Sequence, residues 1–376
     1  MKLIIDNSNL FAGGGLQVAA SFLRDLKNMK IQNDFHVIQS VNCANVIGKE
    51  VFPDNFTFYN LTKAEEKSKT KRIKVVRKIE DMLKPDCIFT LFGPSYHKSK
   101  FPKLVGFAIP FIIYPNSPFF EKISLKEKIY YKLLAILKTY SFKKFSDALV
   151  FETENARKIF IERENYTKDS FTVGNTLNEI FLKSENWVDV ENIPPDSCNI
   201  LFLTANYPHK NMQILPEVIA ILKDKFRLTN FKFLITLNKS DLNFPEQHNE
   251  NIVYLGKVDL EKIPSLYKKS NIIFIPTLLE VFSATYLEAM LMKKPIIASD
   301  LGFSRDICGD SAYFCEPINA ESYANGIFTL MNDENLRNDL TKKGTENLKR
   351  FGSSTDRTKK YLEIINKLVT QNENSK

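Results

Sequence analysis

Residues 271–315 read NIIFIPTLLEVFSATYLEAMLMKKPIIASDLGFSRDICGDSAYFC, and this stretch predicts the fold of the chain. Its apolar run Ile272–Pro276 is short and rich in β-branched residues, which is typical of a buried strand. The loop Thr277–Val281 follows, and then a helix for which Ser283 is the predicted N-cap. The run Pro295–Ser299 predicts a second buried strand. This order of elements indicates a right-handed crossover in a parallel sheet, whose ligands bind beyond the carboxyl ends of the strands.

Two carboxylates lie in this predicted binding region, Glu280 in the loop and Glu288 in the second turn of the helix. Between them, Ala284 and Thr285 supply backbone N–H groups at a helix start, where phosphate binds readily. A diphosphate on these amides would leave one carboxylate for the two hydroxyls of a ribose and the other for a sugar beyond the phosphates. The alternative is that both glutamates are ordinary surface charges, which is the usual place of Glu.

The same segment resembles the retaining nucleotide-sugar glycosyltransferases of the large bacterial family 4, which have the GT-B architecture and carry Glu, seven residues and Glu. This chain has Glu280-Val-Phe-Ser-Ala-Thr-Tyr-Leu-Glu288-Ala, and then Pro295 and Ser299-Asp300. The resemblance implies that Glu280 faces the transferred sugar and that Glu288 holds the ribose. Val281 and Ser283 replace glycines of the family pattern, and this alters the fit to the donor sugar because Gly lets a backbone approach a ligand closely. The other donor-binding residues implied in this segment are Phe282, Ser283, Ala284 and Thr285.

The family's α/β fold has two Rossmann-like domains, with parallel sheets that face across a cleft and a C-terminal helix that returns to the first domain. We expect an N-terminal acceptor domain over residues 1–182, a C-terminal nucleotide-sugar domain over 183–353, and a crossover helix and tail over 354–376. Strand-like and helical stretches alternate throughout, as in parallel α/β domains. One of the strands predicted in the first domain is Val105–Tyr114.

The composition fits two ordinary cytoplasmic domains. The 376 residues are 44% hydrophobic, which is ample for two cores, and the five cysteines are widely spread without the paired spacing of a zinc site or a disulfide framework. Met1–Ile5 is too short for a signal sequence because Asp6 interrupts it, and the longest apolar stretch, Leu104–Pro115, is well below a membrane span. We therefore expect no secretion by that route and no spanning segment.

The positive charge is concentrated in the first half of the chain. Residues 1–180 hold 28 Lys and Arg against 19 Asp and Glu, whereas residues 181–376 hold 24 against 25. Residues 121–144 read EKISLKEKIYYKLLAILKTYSFKK and mix seven lysines with apolar side chains. Such a stretch fits either a membrane interface or a core-packed helix with a solvated basic face.

Glycines follow the first predicted strand, Lys2–Asp6, and precede a helix from about Leu16. This is a geometry in which phosphate approaches a helix start. The sequence Gly13-Gly14-Gly15 does not complete a dinucleotide fingerprint, so we do not expect a NAD site. The resemblance implies that Gly14 and Gly15 lie near the donor phosphate, while the alternative is a turn needed only for tight packing.

One histidine and one lysine complete the predicted catalytic set. His97 lies in a loop that leaves a predicted strand, so it either faces the cleft, as a family histidine often does, or is a surface loop residue. Lys210 is predicted at a helix start, where its charge opposes the macrodipole unless an anion binds there. It matches the lysine of the family's donor-phosphate pattern, and its partners would be the helix amides and His209. Its alternative is a snorkelling surface lysine.

The resemblance assigns the nucleobase to the turn that includes Lys257 and Val258.

Taken together, these residues and the resemblance predict a metal-independent, retaining hexosyltransferase with a UDP- or GDP-linked sugar as donor. Its predicted catalytic residues are Glu280, Lys210 and His97. Its acceptor would be a glycan or a polyprenyl-diphosphate-linked glycan in surface polysaccharide biosynthesis, at a peripheral cytoplasmic membrane site. No nucleic acid and no cofactor are expected. The alternatives are a sugar-nucleotide epimerase of the same fold and a non-catalytic membrane-bound partner protein.

Overall fold

The computed structural model describes residues 1–48 and 50–374. The chain forms two compact units. Unit 1 comprises Met1–Ile113, Lys126–Thr176 and Gly352–Lys376, and unit 2 comprises Tyr114–Leu125 and Leu177–Phe351.

Unit 1 is built on a sheet of seven parallel strands in the order β3-β2-β1-β4-β5-β6-β7. The strands are β1 (Lys2–Asn7), β2 (Asp34–Gln39), β3 (Phe56–Asn60), β4 (Cys87–Thr90), β5 (Lys103–Phe107), β6 (Ala148–Phe151) and β7 (Asp169–Thr172). The helices of this part of the chain are α1 (Gly14–Asn28), α2 (Val41–Ile47), α3 (Lys63–Lys67), α4 (Lys69–Leu83), α5 (Pro110–Ile113), α6 (Leu125–Phe145) and α7 (Glu154–Glu164).

Unit 2 repeats the plan with six parallel strands in the order β10-β9-β8-β11-β12-β13. The strands are β8 (Cys198–Phe202), β9 (Phe231–Ile235), β10 (Ile252–Tyr254), β11 (Ile272–Ile275), β12 (Ile296–Ser299) and β13 (Ala312–Cys315). The helices are α8 (Leu215–Asp224), α9 (Ile263–Lys268), α10 (Ala284–Leu291), α11 (Gly302–Cys308), α12 (Ala320–Asn332) and α13 (Glu334–Leu348).

The last helix, α14 (Ser354–Glu373), belongs to unit 1, as the fold prediction required. Its side chains Tyr361 and Ile365 are buried in the unit 1 core, where the Tyr361 ring centroid lies 5.6 Å from that of Phe22. The buried Asp25 carboxylate on α1 accepts hydrogen bonds from the hydroxyls of three residues of α14, namely Ser354, Thr355 and Thr358. Burial and this polar contact together fix α14 on unit 1.

Both sheets have the strand order of a Rossmann fold, in which the chain turns outward in opposite directions from two adjacent central strands. These strands are β1 and β4 in unit 1, and β8 and β11 in unit 2. The predicted α/β architecture is therefore confirmed in both units. The run 105–114 was wrong as a single strand, because β5 ends at Phe107 and Pro110 begins a short helix, a position that suits proline.

Candidate functional site

The site in unit 2 forms where two loops leave the central strands of the sheet. The loop after β8 carries Lys210 and the loop after β11 carries Glu280. Because β8 and β11 are neighbouring parallel strands, their carboxyl ends bring the two loops together. The Lys210 Nζ atom lies 2.6 Å from Glu280 Oε2, so two residues that the sequence predicted separately form an ion pair.

The ion pair is partly buried, with the Lys210 side chain 17% exposed and the Glu280 side chain 21% exposed. The helix start predicted at Lys210 was wrong, because Pro208–Lys210 is a 3-10 turn and α8 begins only at Leu215. Asn211, with φ of 59°, ends this turn, and a second 3-10 turn, Met212–Ile214, precedes α8. Lys210 is therefore held by Glu280 rather than opposed by a helix dipole.

His209 next to this pair is neutral at physiological pH. Burial, and after it the positive charge of Lys210, lower the pKa of His209 to about 4. Its ring stacks on the half-exposed Tyr207 with the centroids 5.5 Å apart, and its carbonyl oxygen accepts a 2.8 Å hydrogen bond from the Leu278 amide. Without a bound anion His209 therefore adds no positive charge, and its predicted contribution to diphosphate binding stays a prediction.

The loop after β11 leads directly into α10, whose first residue is Ala284. Ser283 occupies the predicted N-cap position, but its hydroxyl makes no capping hydrogen bond and lies 3.3 Å from the Thr285 hydroxyl. The Ser283 side chain therefore leaves the first amides of α10 uncapped, within the loop that carries Glu280. Such amides are the groups to which an anion binds at a helix start.

Glu288 lies one turn further along α10 and is almost completely buried. Its Oε2 atom accepts a 2.7 Å hydrogen bond from the hydroxyl of Tyr267, a residue of α9 with no exposed surface. Burial raises the pKa of Glu288 to about 7, against the opposing effect of the Tyr267 hydrogen bond. Glu288 is thus not the surface charge of the alternative interpretation, and it remains partly protonated at neutral pH.

The other predicted donor residues surround this part of unit 2. Phe282 is buried in the same apolar cluster as Tyr267, and Val258 packs against that cluster. Lys257 is exposed and follows Gly256, which has φ of +64° and whose added Cβ would lie 2.7 Å from Asn238 Oδ1. The turn is therefore shaped by a glycine, while the assignment of the nucleobase to it stays a prediction.

The glycine loop of unit 1, which we define as residues 8–15, occupies the equivalent place beyond β1. Gly13 has φ of +72°, a backbone conformation that favours glycine, and Gly14 and Gly15 begin α1. A Cβ on Gly14 would meet no atom within 4 Å, and one on Gly15 would make only ordinary contacts of 3.5 Å. The backbone conformation therefore explains the glycine at 13, whereas neither conformation nor packing requires glycine at 14 and 15, which leaves both open to the close approach of a ligand.

His97 is enclosed in unit 1 instead of lying in a surface loop. It is 3% exposed, and its Nε2 atom lies 2.7 Å from Glu80 Oε1 and 3.1 Å from Lys103 Nζ. Lys103 is itself buried, with Nζ also 3.2 Å from the Ser95 hydroxyl. The structure therefore shows a buried polar cluster that joins α4, β5 and the loop after β4, and the catalytic assignment of His97 stays a prediction.

Tyr267 is the site residue that sequence reasoning missed. It lies 21 positions before Glu288 and on a different helix, so no local spacing relates the two residues. Its only sequence signal is an aromatic residue within a short apolar helix, which predicts core packing.

Tyr286, also fully buried, has a hydroxyl without a hydrogen-bond partner in the described residues. Burial raises the pKa of Tyr286 well above the ordinary value, with a smaller contribution from the charge of Glu280.

Two further properties concern the described part of the chain as a whole. Among residues 1–48 and 50–374, no group of three or more His, Cys, Asp or Glu side chains is arranged to hold a metal ion. None of the helices described there combines the length and the apolarity needed to cross a bilayer.

Comparison with known proteins gives this site a context. Residues 183–347 match the family model described as glycosyl transferases group 1, and they contain the whole arrangement of Lys210, Glu280 and Glu288. An uncharacterized glycosyltransferase of Methanocaldococcus jannaschii is 29% identical over 154 residues, which are 40% of this chain and 43% of that protein. An O-antigen chain mannosyltransferase of Salmonella typhimurium is 20% identical over 217 residues, 56% of this chain and 57% of that protein. The chain thus matches about half the length of these relatives.

Solved structures share the fold over nearly the whole chain. Sucrose-phosphate synthase from Thermosynechococcus elongatus has a TM-score of 0.75 at 12% identity, covering 99% of this chain and 100% of that one. Anabaena HepE in complex with UDP-glucose has a TM-score of 0.67 at 12% identity, covering 98% and 100%. Together with the two Rossmann-type sheets, this likeness confirms the predicted GT-B fold.

Proposed function

We propose that this chain is a retaining glycosyltransferase that transfers a hexose from a UDP- or GDP-linked donor to a glycan or a polyprenyl-diphosphate-linked glycan. The observation that carries the proposal is the Lys210–Glu280 ion pair at the carboxyl ends of β8 and β11, next to the uncapped start of α10. This region offers a cation and helix amides for the diphosphate of a nucleotide sugar, and two carboxylates for its ribose and its transferred sugar. The family match over residues 183–347 and the UDP-glucose complex of HepE support this assignment.

In the proposed donor complex, the diphosphate lies at the start of α10. The amides of Ala284 and Thr285 donate to its oxygens, and Lys210 adds a positive charge. A lysine ammonium has three N–H donors, so Lys210 can keep its contact with Glu280 while it binds a phosphate oxygen. Glu288 accepts from the ribose hydroxyls, and Glu280 contacts the transferred sugar.

The remaining proposed contacts complete the donor site. Lys257 and Val258 meet the nucleobase by their backbone, Phe282 and Ser283 line the loop, and Gly14 and Gly15 of unit 1 admit the diphosphate. No metal and no other cofactor are needed in this scheme. His97 has no assigned step, since its imidazole is already engaged by Glu80 and Lys103.

During transfer, the bond between the sugar C1 and the diphosphate oxygen breaks, and a bond from C1 to the acceptor oxygen forms on the same face. Negative charge develops on the departing diphosphate, where Lys210 and the α10 amides stabilise it. The acceptor hydroxyl gives its proton to a leaving phosphate oxygen, so no side chain is required as general base. The anomeric configuration of the sugar is retained.

The acceptor side of the proposal rests on charge. The excess of Lys and Arg lies in residues 1–180, and an anionic membrane that presents a polyprenyl-diphosphate-linked glycan would attract that part of the chain. The mannosyltransferase relative from Salmonella typhimurium acts on the O-antigen chain, as its name states, and this favours surface polysaccharide biosynthesis. We place the protein at the cytoplasmic face of the plasma membrane.

A panel of nucleotide sugars tests the proposal. Thermal shift and calorimetry with UDP- and GDP-linked hexoses should identify one donor, and Glu280→Gln should lower its turnover while leaving the affinity for the free nucleotide nearly unchanged. The product's anomeric configuration, read by NMR, should equal that of the donor. An inverted product would refute retention, and binding of no nucleotide sugar would refute the donor assignment.

The same assay separates transfer from epimerisation. An epimerase would convert the donor sugar without any acceptor, and it would need acid and base groups around the hexose. Of the two histidines that could serve, His97 is enclosed in a buried cluster, and the pKa of His209, about 4, leaves it uncharged and without the proton that a general acid must give. Transferase activity is therefore the function that the geometry supports best.

A further inference from the structure

Helix α6 exposes an unusual amount of apolar surface. Among the described residues, fifteen large hydrophobic side chains are exposed, and seven of them lie on this one helix. Each of the seven is at least 52% exposed, namely Leu125, Ile129, Tyr130, Leu133, Ile136, Leu137 and Tyr140. We call these seven side chains the α6 stripe. Exposed apolar patches of this kind mark sites of interaction with proteins or membranes.

The α6 stripe is one continuous face of the helix. At 100° per residue, its members fall within about 140° around the helix axis, and from Leu125 to Tyr140 they extend over roughly 22 Å. From Tyr131 onward the opposite face packs on unit 1, since the Tyr131 ring centroid lies 5.3 Å from that of Phe111 and the Phe142 centroid 4.5 Å from that of Phe107. The second half of the stripe is therefore exposed on a helix that is packed on its other side, whereas residues 125–130 are exposed all round the helix.

Lysines accompany the stripe. The segment 121–145 holds seven lysines against two glutamates, and Lys126, Lys128 and Lys132 are exposed on the first two turns of α6. Apolar and aromatic side chains on one face with lysines beside them are the composition of helices that lie in a membrane interface. A second copy of this chain is a poorer partner, because a two-fold contact through the stripe would bring the lysines of the two copies together.

A second basic helix adjoins α6. Helix α4 carries six basic residues: Lys69, Lys71, Arg72, Lys74, Arg77 and Lys78. Lys69 lies close enough to Lys138 of α6 for its charge to add to burial in lowering the Lys138 pKa. Neither of these two lysines forms an ion pair within residues 1–48 and 50–374. Each of the two helices thus carries more lysine and arginine than aspartate and glutamate, and an anionic surface would stabilise this excess positive charge.

The basic helix also borders the glycine loop. The Arg72 guanidinium lies over the Phe11 ring, 5.3 Å from its centroid, and Phe11 belongs to the residues 8–15 that define this loop. The Phe11 carbonyl oxygen accepts a 2.6 Å hydrogen bond from the Asn42 side chain, which fixes the backbone just before Gly13. Helix α4 therefore lies beside the glycine loop through Arg72 and near α6 through Lys69 and Lys138.

We propose that the α6 stripe inserts into the interfacial region of an anionic bilayer while the basic side chains of α6 and α4 contact lipid headgroups, so that the glycine loop is held beside the bilayer surface. This inference rests on the proposed function in one respect: membrane binding would bring the enzyme to a lipid-linked acceptor. The binding itself requires neither donor nor acceptor. Insertion and charge contribute separately, so part of the binding resists salt and part is screened by it.

Sedimentation of the full chain with vesicles tests the proposal without any substrate. We expect binding to vesicles that contain phosphatidylglycerol and much weaker binding to pure phosphatidylcholine. Replacing Lys126, Lys128 and Lys132 by Glu should weaken binding at low salt by roughly fivefold or more for each lysine. A control with the same charge change at the exposed Lys342, Lys359 and Lys360 should change binding far less.

The apolar contribution is tested by Leu133→Ser, Ile136→Ser and Leu137→Ser combined, which should remove the salt-resistant part and lower binding by about tenfold or more. The matched control is Leu182→Ser, which changes an equally exposed leucine of unit 2. Because all these side chains are exposed, circular dichroism and melting temperature should stay unchanged. Binding unaltered by the triple change, or no binding to anionic vesicles at all, would overturn the proposal.

Two more readouts keep the outcomes distinct. If light scattering shows a dimer that the triple apolar change dissociates, the stripe is a contact between copies and the membrane proposal is wrong. Turnover of a water-soluble acceptor should be equal in the triple variant and the wild type. If the chain binds nucleotide sugars normally but does not bind vesicles, this inference is wrong and the proposed function stands. If it binds vesicles but no nucleotide sugar, the proposed function is wrong and this inference stands.

Discussion

Replacing Glu288 by Gln should stabilise the protein without ligand, and more so as the pH rises. Burial raises the Glu288 pKa from its ordinary value of 4.5 to about 7 in the folded protein. The protonated carboxyl is accommodated below pH 4.5, and the folded state loses stability as the pH rises from there through 7. Each unit of difference between the unfolded and folded pKa values is worth about 1.4 kcal/mol. By pH 8, the ionisation of Glu288 therefore lowers the free energy of unfolding by about 3 kcal/mol.

The glutamine side chain carries no charge at any of these pH values, and its carbonyl oxygen can still accept from the Tyr267 hydroxyl. We therefore expect a difference in the free energy of unfolding that is near zero at pH 4.5 and grows to about 3 kcal/mol at pH 8. Trp187, the only tryptophan, lies in unit 2 and donates its indole N–H to the Ile180 carbonyl oxygen at 2.7 Å. Its fluorescence during urea unfolding reports on this unit.

A comparison with Tyr267→Phe sharpens the test. That change removes the hydroxyl that donates to the carboxylate, so the Glu288 pKa should rise further and stability should fall more steeply toward high pH. Nucleotide affinity should move the opposite way in Glu288→Gln, with a loss of roughly tenfold or more, because a charge-assisted hydrogen bond to the ribose is weakened. If Glu288→Gln shows the same stability difference from wild type at pH 5 and pH 8, the assigned burial cost is wrong.

The other predictions concern the same loops. Glu280→Gln should lower turnover far more than nucleotide affinity, and equal losses in both would show that Glu280 does not contact the sugar. Lys210→Ala should lower the free energy of unfolding by about 1 kcal/mol or less, as expected for a partly exposed ion pair, while turnover falls strongly; a large loss of stability without ligand would make the lysine structural. Gly14→Ala should leave the melting temperature nearly unchanged, because the added methyl meets no atom within 4 Å, and should still reduce turnover, whereas Gly13→Ala should destabilise the fold through its φ of +72°. Normal turnover in Gly14→Ala would remove this glycine from the donor site.

Local patterns predicted the strands and the order of elements well because parallel strands are continuous apolar runs. The sequence also predicted Glu280 and Lys210 as site residues, from a loop after one strand and a lysine after another. Their ion pair could not be predicted, since 70 residues separate them and only the adjacency of β8 and β11 brings them together.

The environments of two predicted site residues depend on contacts between residues distant in sequence. His97 lies in a polar loop that suggests exposure, but Glu80 on α4 and Lys103 on β5 enclose it. The environment of Glu288 depends in the same way on Tyr267. The helix start predicted at Lys210 was wrong for a local reason, because Asn211 in the left-handed region ends one 3-10 turn and a second one, Met212–Ile214, precedes α8.

The place of α14 has a consequence for the order in which the chain folds during synthesis. Unit 1 needs Tyr361, Ile365 and Leu368 for its core, and the ribosome makes these residues after all of unit 2. At about 5–20 residues per second, unit 2 has its full sequence before unit 1 does. The nascent N-terminal half therefore waits with the α14-facing side of α1, including the buried Asp25, uncovered.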